Sequence, residues 1–307
     1  MPDLLDKQLV IVTGKGGVGK STVALALGMA AAEQGKRTIV CEVSAQEGLS
    51  RTFHRAEIGF NEVQMADNLW AFSIDPDEAM REYVLLQLKV RAMRDLLFRS
   101  KIFNYLAAAT PGLRELVTIG KIWELALPER KVKSARKYDL VVVDAPATGH
   151  GVGFLQTPRT FANVARVGPI AAQAEALDAF ITNEKRTGVA IVALPEEMPV
   201  NETAMLEHDL TEKVGASVDR IFLNGLYPDR FDDGDVERIE SAAEGAEGAV
   251  RAALLEALSE RRRARCQAEQ VSRLEDLTEA PVTKLPFLFE PELGLDGIRK
   301  LAHGVAT

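Results

Sequence analysis

Between the apolar run QLVIVT and the alanine-rich stretch VALALGMAAAEQG lies GKGGVGKST, residues 14–22. It fits the pattern G-x-x-x-x-G-K-[ST], with Gly14, Gly19, Lys20 and Ser21 in the defining places. Leu9 to Thr13 reads as a short buried strand, and residues 19–34 as a helix closed by Gly35. A strand, a glycine loop and a helix N-terminus in this order aim backbone N–H groups and a positive dipole end at a phosphate chain. Gly14, Lys15, Gly16, Gly17, Val18, Gly19, Lys20, Ser21 and Thr22 are therefore expected to line a nucleotide site. Lys20 would reach the β- and γ-phosphates, and the Ser21 hydroxyl would be a Mg²⁺ ligand.

Such a loop demands a parallel α/β setting, and the rest of the chain has that pattern. Strand-like runs recur at 7–13, 38–43, 69–74, 138–145, 188–195, 219–225 and 282–286, with helical stretches between them. Near-continuous Val/Ile/Leu strands separated by helices predict a doubly wound, mostly parallel sheet with helices on both faces. The 307 residues, 47% of them hydrophobic, suffice for one large core. Residues 1–307 are read as one phosphate-loop domain with a helical insertion at about 76–135. Within that insertion Tyr83, Leu86, Val90, Met93 and Leu97 follow helical spacing, and Leu85, Leu88, Ala92 and Leu96 form a second stripe. An arc that broad buries on more than one side, either within the subunit or against a hydrophobic protein cargo or membrane partner.

The pattern leaves position 15 open, yet here it is Lys15, giving KGGVGKS at 15–21. This resembles the deviant phosphate loop shared by the nitrogenase iron protein, the ParA and MinD partition ATPases, and the arsenite-pump and tail-anchored-protein-targeting ATPases. The resemblance implies a nucleotide-sandwich dimer in which Lys15 crosses to the partner's phosphates. A cation supplied in trans neutralises developing charge only when two subunits close.

A second element narrows the resemblance. VVVDAPATGH delivers Asp144 at the C-terminal edge of a strand, where open α/β sheets bind ligands and where a carboxylate can hold the Mg²⁺ shell. DAPATGH at 144–150, followed by FLQTP at 154–158, resembles the switch II segment of the arsenite-pump and tail-anchored-targeting (ArsA-like) ATPases. By that resemblance Asp144, Thr148, Gly149 and His150 couple γ-phosphate state to subunit geometry. Asn224 in IFLNG matches the family's adenine reader, and Pro286 and Phe287 in LPFLFEPELG match its adenine-side loop. ATP or ADP with Mg²⁺ is the expected cofactor, and Lys15, Lys20 and Asp144 carry the expected catalysis.

The chain also departs from that family. The segment after the second strand places Ser44 and Ala45 where the family has Asp-Pro, whose Asp positions the attacking water. Glu42, Gln46 and Glu47 are the nearby substitutes, and slow hydrolysis is expected. Cys41 and Cys266 are the only cysteines, so an arsenite site, a paired-cysteine zinc clip and cluster ligands are all missing. The sequence resembles a bacterial branch of the family without an arsenite site.

A net charge of −8 disfavours broad nucleic-acid binding; RRRAR at 261–265 reads as the solvated face of a helix. No apolar run approaches 18 residues, so no transmembrane segment is expected. MPDLLDKQ enters the first strand at once without a visible leader, and two cysteines fit a reducing cytoplasm. GIRKLAHGVAT is read as too short and weakly amphipathic for a membrane helix. The leading expectation is an ATP-driven dimeric switch, a homodimer or a heterodimer with a paralogue. The alternative is a low-activity nucleotide-binding protein that pairs with an active paralogue.

Overall fold

The computed structural model describes residues 3–43, 49, 58–87, 112–130, 135–165, 168–290 and 293–306. Among these, eight strands form one sheet: β1 (Leu9–Gly14), β2 (Thr38–Val43), β3 (Val63–Ala66), β4 (Leu69–Ile74), β5 (Leu140–Asp144), β6 (Thr187–Ala193), β7 (Arg220–Leu226) and β8 (Val282–Pro286). Their order is β3-β4-β2-β5-β1-β6-β7-β8, and every neighbouring pair is parallel except the β3–β4 hairpin. All seven strands expected from the sequence are present. The doubly wound, mostly parallel α/β sheet expected from the sequence is therefore what the chain adopts.

The helices are α1 (Lys20–Glu33), α2 (Pro76–Gln87), α3 (Leu113–Ala126), α4 (Thr148–Ala165), α5 (Pro169–Ile181), α6 (Glu197–Asp209), α7 (Asp233–Glu244), α8 (Gly248–Leu277) and α9 (Leu295–Val305). They cover both faces because the central strands are buried on both. Val10, Val12, Val40 and Val142 face α1 and α9, whereas Ile11, Ile39, Cys41, Val141 and Val143 face α3, α4, α5, α6 and α8. Helix α1 is buried around most of its circumference and ends as a glycine-capped helix should. Gly35 takes φ +84°, and the Lys36 N–H donates to the Ala31 carbonyl at 3.1 Å, satisfying an end carbonyl.

The two described helices of the 76–135 region lie against the sheet. Leu116, Ile119, Ile122 and Leu125 of α3 join the main core, each burial contributing roughly 1.5–3 kcal/mol. Beside them Lys121 pairs with Glu82 and Glu124, Arg130 pairs with Glu124 and Glu62, and the Tyr138 hydroxyl donates to Glu62 at 2.8 Å. Burial pushes the Cys41 thiol beneath this network well up. Tyr83 is partly buried against the same core and Leu85 is exposed. Val90, Met93 and Leu97, with Leu88, Ala92 and Leu96, lie outside the described residues, as does the Leu86 side chain.

Two segments differ from expectation. Helix α9 is more amphipathic than its composition suggested, because Ile298, Leu301, Ala302 and Val305 form one stripe that docks on the face of α1. The basic run 261–265 lies on α8 with Arg262, Arg263 and Arg265 exposed as expected, and Arg261 departs, reaching Asp229 and Asp233. Among the described residues no helix is long and apolar enough to cross a membrane.

Candidate functional site

The sheet order makes the location of a site predictable. Strand β1 sits between β5 and β6, and its C-terminal end meets the crevice where ligands bind in open α/β sheets. The loop after β1 has a backbone that only glycine accepts at several places. Gly14 has φ +142°, and a Cβ there would lie 2.3 Å from the Val192 carbonyl oxygen of β6. Gly19, at φ +95°, lies so close to the Asn224 side chain that a Cβ would come within 2.4 Å of its amide nitrogen. The loop is thus pressed between β6 and the end of β7, and it opens α1 with Lys20 as that helix's first residue.

Lys20 is buried, and its Nζ donates to the Lys15 carbonyl at 3.0 Å. Desolvation lowers its pKa, and nearby Asp144 opposes that shift. The Ser21 hydroxyl donates to Asp144 Oδ2 at 2.5 Å, so the loop's last residues and the end of β5 are already joined. Asp144 is 3% exposed, and burial raises its pKa to about 6 despite the Ser21 hydrogen bond and the Lys20 charge. Glu42, its register partner on β2, raises it further. Asp144 Oδ1 is buried and has no hydrogen-bond partner among the described residues.

That unsatisfied oxygen is a test of fit for Mg²⁺. A hard cation takes oxygen ligands from hydroxyl and carboxylate groups, and Ser21 with Asp144 supplies both at one point beside the phosphate loop. The donor set fits. Ser21 and Asp144 would hold the ion, and when bound it supplies charge neutralisation at the phosphates. The chain's own contribution is a glycine loop pressed between β6 and β7, a buried ammonium, and the Ser21–Asp144 hydrogen bond.

Other residues singled out in the sequence take less obvious places. Asn224 donates from Nδ2 to the Val18 carbonyl at 3.0 Å, supporting the loop from the β7 side. Pro286 ends β8 beside Leu226, and the Phe287 ring stacks on Tyr227 with centroids 4.8 Å apart. Phe289 completes this partly exposed aromatic group, with Arg263 over Tyr227 and Arg230 over Phe289. Thr148, Gly149 and His150 form the first turn of α4, and their side chains lie outside the described residues. Ser44, Ala45, Gln46 and Glu47 also lie outside them. Glu42 does not: its buried carboxylate accepts the Leu49 N–H at 3.0 Å.

One feature had no sequence signal. Lys15 forms an ion pair with Glu202 of α6, 187 positions away. Nothing in the local pattern around either residue announces a contact across that separation.

Comparison with known proteins decides the family. A model described as anion-transporting ATPase (ArsA_ATPase) matches residues 7–169 and 164–251, more than half of the chain. The chain belongs to the ArsA ATPase family. Its relatives include ATPase BagA of Mycobacterium tuberculosis, 32% identical over 81% of this chain and 74% of that protein. The arsenical pump-driving ATPase of Acidiphilium multivorum is 26% identical over 71% of this chain and 39% of its own length. ATPase GET3 of Kluyveromyces lactis is 25% identical over 74% of each. As an ArsA-family member the chain is an ATPase by kinship, and the glycine loop of β1–α1 lies inside the matched region.

Proposed function

We propose that this ArsA-family protein is a Mg-ATP-dependent dimeric switch, in which nucleotide closes two subunits and hydrolysis reopens them to change the grip on a protein partner. The observation that carries this reading is the joined pair Ser21–Asp144 beside a buried Lys20, with one Asp144 oxygen unsatisfied. Lys20 holds the β- and γ-phosphates, Gly14–Thr22 wraps the phosphate chain, and Ser21 with Asp144 holds Mg²⁺. Asn224, Pro286 and Phe287 supply the base side: Asn224 touches the loop at Val18, and Pro286 and Phe287 stand at the adjoining ends of β7 and β8. Lys15 acts on phosphate charge when two copies, or this chain and a paralogue, meet. A hydrophobic cargo or a membrane-protein partner engages the 76–135 region.

The test is calorimetry of Mg-ATP binding combined with light scattering. Lys20→Ala should weaken binding at least about tenfold, because the phosphates lose a charge-assisted partner. Lys15→Ala should leave ADP binding nearly intact while reducing the ATP-dependent dimer. Unchanged affinity in the first variant removes the site assignment; one mass in all nucleotide states removes the dimeric switch.

The second reading, a weakly hydrolysing protein paired with an active paralogue, is favoured by Ser44 at the place of the family's water-positioning Asp. It keeps the same nucleotide site and differs only in turnover.

A further inference from the structure

Lys15 is the residue whose charge the proposed switch needs at the phosphates, yet here that charge is engaged inside its own subunit. Its Nζ contacts Glu202 Oε1. Glu202 stands in the middle of α6, between Asn201 and Thr203, with Val200 and Leu206 of the same helix in the core. The helix is therefore fixed to the sheet, and the carboxylate is presented to the loop from a rigid support. The pair is open to solvent, with Lys15 44% and Glu202 32% exposed.

The arrangement is incomplete in an informative way. Glu202 Oε2 is buried and has no hydrogen-bond partner among the described residues. A desolvated carboxylate oxygen without a donor is unfavourable, so the contact is held through one oxygen while the other remains unsatisfied. An ion pair this exposed is weak in any case. It is strong enough to set where a flexible lysine rests and weak enough for a phosphate, with its higher charge, to displace it.

Resting on the proposed nucleotide function, we infer that Glu202 is a positioning residue, a partner within the same subunit that holds Lys15 whenever phosphate does not. Phosphate and Glu202 compete for one ammonium group. Whichever subunit's phosphates receive Lys15, the lysine must first leave Glu202, so the carboxylate raises the nucleotide concentration needed for occupancy. The same competition runs in reverse after phosphate departs, when Glu202 recaptures the lysine and favours reopening. No bond is made or broken; the step exchanges one ionic partner for another.

The experiment is a double-mutant cycle on Mg-ATP affinity, measured by calorimetry on the full chain and on the Glu202→Gln, Lys15→Ala and doubly substituted variants. Glu202→Gln keeps shape and removes charge, and it should tighten binding by up to about fivefold, the range of a part-exposed ion pair. The gain should vanish when Lys15 is already alanine, and it should shrink at high ionic strength. A merely structural or general electrostatic role for Glu202 gives the same change in both backgrounds, which overturns the inference. Weaker binding by Glu202→Gln also overturns it, because the carboxylate would then serve the bound state. If the unmodified chain binds no Mg-ATP, the proposed function fails and the inference falls with it; if it binds but Lys15 and Glu202 are uncoupled, only the inference falls.

Discussion

Replacing Asp144 by Asn should make the empty protein more stable at neutral pH while removing its response to Mg²⁺. The carboxylate is 3% exposed, and its pKa is raised from 3.8 to about 6, chiefly by burial. A difference of about two pH units is equivalent to roughly 3 kcal/mol between the protonation states. The sign follows from linkage. The folded protein holds this proton more tightly than the unfolded chain, so the contribution favouring folding is complete below the unfolded value and is lost as pH rises to about 6. Above that pH the ionised group costs about 3 kcal/mol, to order of magnitude, unless a cation offsets it. Asn has nearly the same shape and no charge to desolvate. The Asp144→Asn variant should therefore gain up to about 3 kcal/mol over wild type at pH 7.5 without Mg²⁺, or roughly 5 °C in melting temperature. The gain should fall progressively towards pH 4. Thermal melts of both proteins from pH 4 to 8, with and without Mg-ATP, measure this. A difference between them that does not change with pH would refute the buried-charge argument, and equal Mg-ATP stabilisation of both would refute the ligand role.

Two further outcomes follow from the loop and from the segment after β2. Gly14→Ala should lower stability by roughly 2–5 kcal/mol, since the new methyl meets the Val192 carbonyl at 2.3 Å in a backbone region unfavourable to side chains; an unchanged urea midpoint would contradict this. Ser44→Asp, alone or with Ala45→Pro, should raise single-turnover ATP hydrolysis by up to about 10²–10⁴-fold, equivalent to about 3–5 kcal/mol of barrier, at constant ATP affinity. If wild type already hydrolyses fast and Gln46→Ala or Glu47→Ala abolishes the rate, the catalytic group has moved and the slow reading is wrong.

The parts of the fold that were legible in the sequence are those whose physics is local. A buried parallel strand declares itself by continuous Val and Ile, and a phosphate loop by glycines at fixed spacing, so β1, α1 and Asp144 could be placed before any coordinates. Strand β3 escaped because VQMA is short, mixed in polarity and half exposed at the sheet edge. Its hairpin turns through Asn68 at φ +58°, and the Asp67-Asn68 pair was the cue that could have found it. The amphipathic character of α9 was obscured by its short length and by the charged Arg299 and Lys300 between its apolar positions. Lys15–Glu202 and Glu42–Leu49 are products of packing, and no periodicity encodes them. Asn224 shows the limit of reading roles from strand ends: position was legible, whereas the bond to Val18 was not.

The seating of α9 on α1 has a consequence for how the protein is born. Helix α1 carries Lys20 and Ser21 at its N-terminus, but part of its burial comes from residues about 270 positions later, with Arg299 reaching back to Glu33 at 3.3 Å. During synthesis the glycine loop leaves the ribosome well before the stripe Ile298, Leu301, Ala302 and Val305 that covers its helix. Contacts between such distant segments form slowly, and the exposed apolar surface awaiting them is prone to association. The nascent chain therefore carries the whole phosphate-binding motif before it has the support that holds the motif rigid. Nucleotide present at that stage would find the ligands in sequence but not yet in place, and α9, emerging well after them, is the helix that completes their foundation.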